Sequence, residues 1–293
     1  MNKSVSFLFL FLGVLITHLP AQQGEPVLLN VSYQAIHIND TNNRDKPLVE
    51  NMLLQVGQTS SKYLRPSLKE VAKQSDQGSS MPTIVVTGKP LAVVNEPGIT
   101  DQELFQYPAK GKLNIIATLG MQDYIMELAL PEIDWQISEE IRKIGGYNCQ
   151  QATGVFGGRS YKAWFAPELP FRNGPWKFSG LPGLILEVED SKKEVIFLFK
   201  GISKGATGEV MASARRKVIK VSKQAFDRAK EAFSQNPVVA MQSQLPPGAP
   251  AVQIAYRDGS GNTTMGNDAQ KLIDRKKKEA KAGNNNPIEL AEK

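Results

Sequence analysis

The sequence predicts a mainly β protein of the α+β class, in which a curved antiparallel sheet is followed by one or two C-terminal helices. Short segments rich in β-branched and aromatic residues recur between residues 27 and 201, and several alternate apolar with polar side chains. Turn-forming residues separate these segments at distances too short for crossover helices, so neighbouring strands are expected to pair antiparallel. A short helix is predicted after Pro66, and longer helical patterns follow Gly205. An open half-barrel is one form that such a curved sheet can take.

The first strand shows the clearest alternation. Between residues 27 and 38, Leu29, Val31 and Tyr33 alternate with polar residues, as in a strand with one buried face. The polar cluster at residues 39–43 then predicts a turn. Further strands are predicted at residues 52–56, 104–107, 113–119, 124–128, 135–137, 147–153, 160–165, 184–188, 194–201 and 254–256.

Two helices are predicted near the C terminus. Ser222 is placed to cap a helix that contains Phe226 and Phe233, and Pro237 ends it, so we expect this helix to lie against the sheet. Residues 268–281 form a second helical pattern with little apolar face, and we expect the end of the chain to be mobile. The predicted organisation is a signal peptide at 1–21, a β-rich domain at 22–260 and a polar, partly helical tail at 261–293.

The first residues predict export from the cytoplasm. Lys3 supplies a short positive region, residues 7–16 are apolar, and Ala21 is a small residue at which cleavage is expected. The apolar run is too short to span a bilayer, which takes about 20 residues. The sole cysteine, Cys149, is far from the cleavage site, so neither a lipid-anchoring cysteine nor an internal disulfide is expected. The expected location is the periplasm or the periphery of the outer membrane, with no membrane-spanning segment after the signal is removed.

The charge pattern argues against nucleic acid as a partner. The formal charge of +6 comes partly from two clusters, at residues 215–217 and 275–278. The second cluster lies in a helical pattern without aromatic residues on which bases could stack. We therefore interpret these clusters as solvated surfaces.

The residue inventory leaves little conventional catalytic chemistry. His37 is the only histidine expected in the mature chain, so neither a serine or cysteine triad nor a typical zinc site is predicted, and no cofactor is expected. Cys149 is interpreted as a buried, inert thiol, with metal binding or pairing to another protein as the alternative. The acid pairs Glu139 with Glu140 and Glu187 with Glu189 are expected to lie on solvent faces. A non-enzymatic protein is the expectation, and an enzyme with an unrecognised carboxylate or thiol site is an alternative.

Residues 161–186 are the most unusual part of the sequence. They combine Trp164, Trp176 and Phe178 with a glycine- and proline-rich motif. This motif resembles the GLPGLI family of bacterial proteins, and it consists of Gly180, Leu181, Pro182, Gly183, Leu184 and Ile185. Supporting matches are residues 146–149, 158–164, 174–176 and 286–290.

The resemblance implies a setting. The family is associated with the Bacteroidetes lineage, and its members look like exported envelope proteins without an established activity, some of them encoded near TonB-linked outer-membrane proteins. The residues of the motif themselves predict a turn at Pro182 followed by a strand that enters the core.

Three functions are open on this reading. The first is binding of an apolar ligand or a peptide, with Cys149, Trp164, Trp176 and Phe178 as candidate binding residues, because aromatic residues beside a glycine-rich turn often line pockets. The second is an accessory or structural role beside an outer-membrane transporter, through exposed sheet edges. The third is the enzymatic alternative.

Overall fold

The computed structural model describes residues 24–66, 91–95, 99–211, 218–258, 260, 262–283 and 285–290. The predicted signal peptide, the short helix predicted after Pro66 and the first basic cluster lie outside these residues. The described strands are, in chain order, β1 (Glu25–Pro26), β2 (Leu29–His37), β3 (Leu48–Val56), β4 (Ser61–Leu64), β5 (Leu91–Asn95), β6 (Glu103–Tyr107), β7 (Lys112–Leu119), β8 (Gln122–Ala129), β9 (Gln136–Ile144), β10 (Tyr147–Phe156), β11 (Arg159–Ala166), β12 (Leu184–Asp190), β13 (Val195–Lys204), β14 (Val210–Met211), β15 (Val218–Lys220), β16 (Gln253–Arg257) and β17 (Thr263–Met265).

Most of these strands form one large sheet. Its twelve strands lie in the order β15-β8-β7-β6-β4-β3-β2-β13-β12-β11-β10-β9. All neighbours pair antiparallel except β15 and β8, which are parallel. Among the described residues the two end strands, β15 and β9, have no further neighbours, so the sheet is not a closed barrel. The predicted mainly β, mostly antiparallel fold is therefore confirmed.

The smaller sheets use strands that are distant in sequence. β1 pairs with β14, while β16 pairs with β17 and, in parallel, with β5. A 3-10 turn, Pro108–Lys110, links β6 to β7. β16 confirms the strand predicted at residues 254–256, whereas β1, β5, β14 and β17 were not predicted.

Three described helices follow the large sheet: α1 (Lys223–Gln235), α2 (Pro237–Gln242) and α3 (Gly266–Gly283). The Ser222 hydroxyl accepts the Ala225 amide at 3.2 Å, which confirms the predicted cap of α1. Phe226 is buried and its ring lies 5.8 Å from that of Tyr124 in β8, so α1 does lie against the sheet. Pro237 ends α1 as expected, and it also begins α2, since proline is well suited to a first helical position.

Helix α3 covers the small sheet of β5, β16 and β17. Ala269 and Ile273 of the helix pack with Ile254 and Tyr256 of β16 in a separate apolar cluster. The predicted helix at 268–281 is thereby confirmed, with an apolar stripe narrow enough to have looked weak in the sequence. No described helix is both long enough and apolar enough to cross a membrane.

The glycine- and proline-rich motif builds the entry to β12. Gly180 has a φ of 99°, which disfavours any side chain. A Cβ atom on Gly183 would lie 2.4 Å from the carbonyl oxygen of Ala166, so this glycine permits close packing of two backbones. Residues 184–186 are fully buried. The prediction of a turn followed by a core strand is confirmed.

Candidate functional site

Two of the predicted aromatic binding residues lie in the segment between β11 and β12. Phe178 is fully buried, and Trp176 is 8% exposed. Four rings pack around Phe178 in edge-on or tilted contacts, with centroid distances of 4.7 to 6.3 Å: those of Trp135, Phe156, Tyr161 and Phe197. Phe178 is therefore the centre of an aromatic cluster that fills the core with protein side chains.

Trp164 and Cys149 lie on the neighbouring strands β11 and β10. The guanidinium of Arg142 lies 4.4 Å from the centroid of the Trp164 ring and also pairs with the Glu187 carboxylate. The Cys149 side chain is buried, and burial raises the pKa of its thiol to about 11 because the thiolate would be desolvated. The thiol is protonated at neutral pH, which fits the reading of an inert core residue.

A polar site that the sequence did not predict lies at the start of β11. The side chain of Arg159 is buried, and its Nη1 donates to Asp190 Oδ2 at 2.9 Å and to Glu194 Oε2 at 3.0 Å. Its Nε donates to the carbonyl oxygen of Ile288 at 2.9 Å, and its Nη2 to that of Pro287 at 2.8 Å. Asp190 also accepts the Glu194 amide at 2.6 Å. One buried cation thus joins two strand ends to the end of the chain.

The chain end that reaches this cation is the C-terminal segment, residues 285–290. The side chain of Asn286 accepts from Arg159, and its Nδ2 donates to Glu194 Oε2 at 3.0 Å and to the carbonyl oxygen of Ile38 at 2.6 Å. Its backbone amide donates to the carbonyl oxygen of Asn39 at 3.1 Å. We call His37, Arg159, Asp190 and Glu194 the Arg159 seat. Buried polar partners hold this segment, in contrast to the mobile chain end that the sequence predicts.

Burial and charge set the protonation states in the seat. Burial opposes ionisation of Glu194, yet hydrogen bonds from Arg44, Arg159 and Asn286 hold the pKa of its carboxyl at about 2. Burial lowers the pKa of His37, whose Nε2 lies 2.7 Å from the backbone carbonyl oxygen of Asn286. Since a carbonyl only accepts, His37 donates from Nε2. His37 is therefore a neutral anchor for the segment.

The other end of the C-terminal segment is held through Glu289. Its Oε1 accepts from the Trp176 indole at 3.1 Å and lies 2.5 Å from Nζ of Lys177. The Leu290 amide donates to the carbonyl oxygen of Gly157 at 2.8 Å. Trp176, a predicted binding residue, thus contacts the chain's own C-terminal segment.

Trp176 has an unusual backbone conformation. Its φ is 54°, a left-handed value that is rare for a bulky side chain and costs about 1–3 kcal/mol. Gln106 donates from Nε2 to the Trp176 carbonyl oxygen at 2.6 Å inside the protein. The surrounding contacts therefore hold the indole in position beneath Glu289.

The free edge of the large sheet is a second candidate site. β9 is exposed along most of its length, with Ile137 46% and Ile141 73% exposed. Residues opposite each other in an antiparallel pair point to the same face, so Ile137 shares a face with the buried Ala152, and Ile141 with Gln150. A bulge separates these two pairs, which leaves residues 141–144 as the longest regular run of the edge.

An open cleft of about 710 Å³ begins at this edge. It crosses β9 to β12, and Val155, which is 67% exposed, lies in it. Trp164, Trp176, Phe178 and Cys149 are not among the residues of this cleft, which is lined by Asp134, Gln136, Thr153, Gly154, Val155, Ser160, Tyr161, Lys162, Glu189, Asp190, Ser191 and Lys193. Within the described part of the chain, no group of three or more His, Cys, Asp or Glu side chains is arranged to hold a metal.

Arg159 and the segment that occupies its seat both lie in stretches that the sequence singled out, but the contact between them was not predicted. Residues 158–164 and 286–290 each contributed to the family resemblance. Their contact spans more than a hundred positions, and nothing local in either segment indicates it. Asp190 is the last residue of β12 and is buried, and a buried acid requires a cationic or hydrogen-bonding partner. The sequence shows the acid but not its burial.

A family model described as a protein of unknown function (Porph_ging) matches residues 158–187. The matched residues run from the start of β11 through the glycine- and proline-rich motif into β12, so they contain Arg159, Trp176 and Phe178. The chain is similar to that family over this short part. No curated protein matches the chain significantly.

Two solved structures of PNGF-II, in the C2 and P21 space groups, are similar to this protein at low identity. They align with TM-scores of 0.48 and 0.47, at 12% and 11% identity, over 69% of this chain. The aligned part is 32% of the PNGF-II chain, so this protein spans about a third of that length.

Proposed function

We propose that this protein is an exported, non-enzymatic protein of the cell envelope that binds an extended segment of a partner polypeptide at the free edge of its large sheet. The observation that carries the proposal is β9, an end strand with exposed isoleucines and no strand on its outer side among the described residues. An added strand gains main-chain hydrogen bonds from such an edge and specificity from the side chains beside it.

The side chains of β9 indicate what kind of partner strand it can bind. Ile141 offers an apolar contact, while Glu140 and Arg142 on either side carry opposite charges. Natural proteins usually protect long edges, and the bulge in β9 leaves residues 141–144 as its longest regular run of pairing with β10. A partner strand is therefore expected to be short and to carry an apolar residue between charged ones.

A polypeptide fits the geometry better than an apolar small molecule. Phe178 is enclosed by other rings, and the Trp176 indole donates a hydrogen bond to Glu289. A lipid at these residues would therefore have to displace protein side chains. The apolar-ligand function of Trp164, Trp176, Phe178 and Cys149 remains a prediction. The raised pKa of Cys149 supports a protein without thiol chemistry.

The export and the identity of the partner rest on the sequence. Residues 1–21 have the pattern of a signal peptide, and residues 180–185 carry the motif of the GLPGLI family. The free edge also supports the narrower candidate, an accessory role beside a TonB-linked outer-membrane transporter, because a sheet edge can pair with a strand of such a partner.

Site-specific photo-crosslinking in living cells tests the proposal. A photoreactive residue at Ile141 should give one discrete adduct with an envelope protein, and Ile137→Lys in the same chain should abolish it. The matched control is Ile219 in β15, at the opposite end of the sheet and 43% exposed. Equal adducts at both positions, or none at Ile141 in cells that export the protein, would contradict binding at β9.

A further inference from the structure

We propose that the Arg159 seat is a recognition site for a short polypeptide segment with a bent backbone, and that residues 285–290 close it in the free protein. In their place, the seat would take a partner segment with the same order of chemistry: Asn, Pro, an aliphatic residue and an acid. This site is distinct from β9.

The seat contacts both the backbone and the side chains of the segment that occupies it. Arg159 donates to two successive carbonyl oxygens, those of Pro287 and Ile288, and His37 donates to the one before them. These contacts require a backbone that bends at Ile288 and Glu289, so that two successive carbonyl groups reach the same guanidinium. Pro287 has no amide hydrogen that would need a partner, and Ile288 is 8% exposed, so the middle of the segment is selected for its shape and apolar character.

Polar groups of the protein bind the occupant at both ends, at Asn286 and at Glu289. The Asn286 amide both accepts from Arg159 and donates to Glu194, a pattern that neither aspartate nor leucine can reproduce. At the other flank, Lys177 and the Trp176 indole select an acid. Complementary charge at one flank and a paired amide at the other define a specific ligand class.

The contacts that hold residues 285–290 could also be made by a segment of another chain. Its described backbone-to-backbone hydrogen bonds are those of the Asn286 and Leu290 amides, and it forms no strand in the sheet. Helix α3, which precedes it, packs on the small sheet through Ala269 and Ile273. A tethered occupant competes at an effective concentration on the order of millimolar, so a partner gains access when the chain's own segment is weakened.

The test uses the full chain and a labelled synthetic peptide with the sequence of residues 285–290. The substitution Asn286→Ala removes the tethered segment's hydrogen bonds with charged groups but leaves the seat intact. The variant should therefore bind the peptide at least about tenfold more tightly than the wild type, measured by fluorescence anisotropy. Asn285→Ala, whose side chain contacts Thr41 at the exposed rim, is the matched control and should behave as the wild type.

Peptide controls define specificity. A peptide with the same composition in scrambled order, and one with Ala in place of the second Asn, should bind at least about tenfold more weakly than the native order. Glu289→Ala in the protein is a second variant with a weakened segment. Absence of preferential binding to both folded variants, checked by circular dichroism, would overturn the proposal.

Sedimentation of Asn286→Ala without peptide tests the other occupant. A monomer that binds the peptide supports a partner segment. A concentration-dependent dimer that excludes the peptide would assign the seat to the C-terminal segment of a second copy, and would also overturn the proposal.

Discussion

The Arg159 seat and the edge strand β9 satisfy their polar groups in opposite ways. In the seat, one buried guanidinium is matched by two carboxylates and two backbone carbonyl groups, all supplied by the chain itself. At β9 the outer backbone groups have no described strand partner, and Ile141 is 73% exposed. A buried charge needs partners in every state of the protein, so the seat can bind a partner only when the chain's own segment leaves it. The exposed edge of β9 can pair with a partner directly.

The largest expected effect comes from removing the cation of the seat. Arg159→Ala leaves Asp190 and Glu194 buried without their cation, and should lower the free energy of unfolding by about 3–5 kcal/mol at pH 7. Urea unfolding followed by tryptophan fluorescence measures this. Arg44→Ala is the control, because Arg44 pairs with the same Glu194 from a half-exposed position and should cost no more than about 1 kcal/mol. Equal losses would show that the seat is not desolvated.

Acid should weaken the seat in a defined range of pH. The folded-state pKa of Glu194 is depressed from 4.5 to about 2, so its contribution is complete above pH 4.5 and is lost as the pH falls toward 2. Roughly 3 kcal/mol of stability should disappear over this interval. Glu194→Gln should flatten the dependence, and the exposed Glu139→Gln should leave it unchanged. An unchanged profile in Glu194→Gln would contradict the assignment.

Weakening the occupant should have an intermediate effect. Asn286→Ala removes hydrogen bonds with Arg159 and Glu194 and should cost about 1.5–3 kcal/mol in chemical unfolding. Asn285→Ala, one residue earlier and exposed, should cost less than about 1.5 kcal/mol. If both substitutions cost the same, the seat does not discriminate its occupant.

The smallest effect on stability is expected at β9. Ile141→Lys changes an exposed side chain and should alter the free energy of unfolding by no more than about 0.5 kcal/mol. The same substitution should abolish the adduct formed by a photoreactive residue at Lys143, in the same regular run of β9. A stability loss above 1 kcal/mol, on the usual scale for surface substitutions, would instead show that Ile141 is part of the core.

The strands of the large sheet were predictable because alternation and turn residues are local signals. Residues 113–119 and 184–188 fall inside β7 and β12 for this reason. β4 was missed because all four of its residues are buried, so it shows no alternation. The pairing of β5 with β16 joins segments about 160 positions apart, and local sequence patterns do not predict pairing over such a distance.

The candidate sites were less predictable than the fold. The sequence singled out Trp164, Trp176 and Phe178 from their composition, but the role of each depends on what packs against it. Phe178 meets four rings and Trp176 meets Glu289, contacts that only the tertiary structure supplies. The Arg159 seat was missed because its charges come from distant strand ends and become a site only when buried together.

Hydrogen exchange of the purified full-length protein tests the contrast most directly. The amides of Asn286 and Leu290 should be protected, since they donate to Asn39 and Gly157. In β9, roughly half of the amides of residues 141–144, those that point away from β10, should exchange rapidly. Rapid exchange throughout residues 285–290, or full protection of β9 in the isolated protein, would contradict a filled seat beside an open edge.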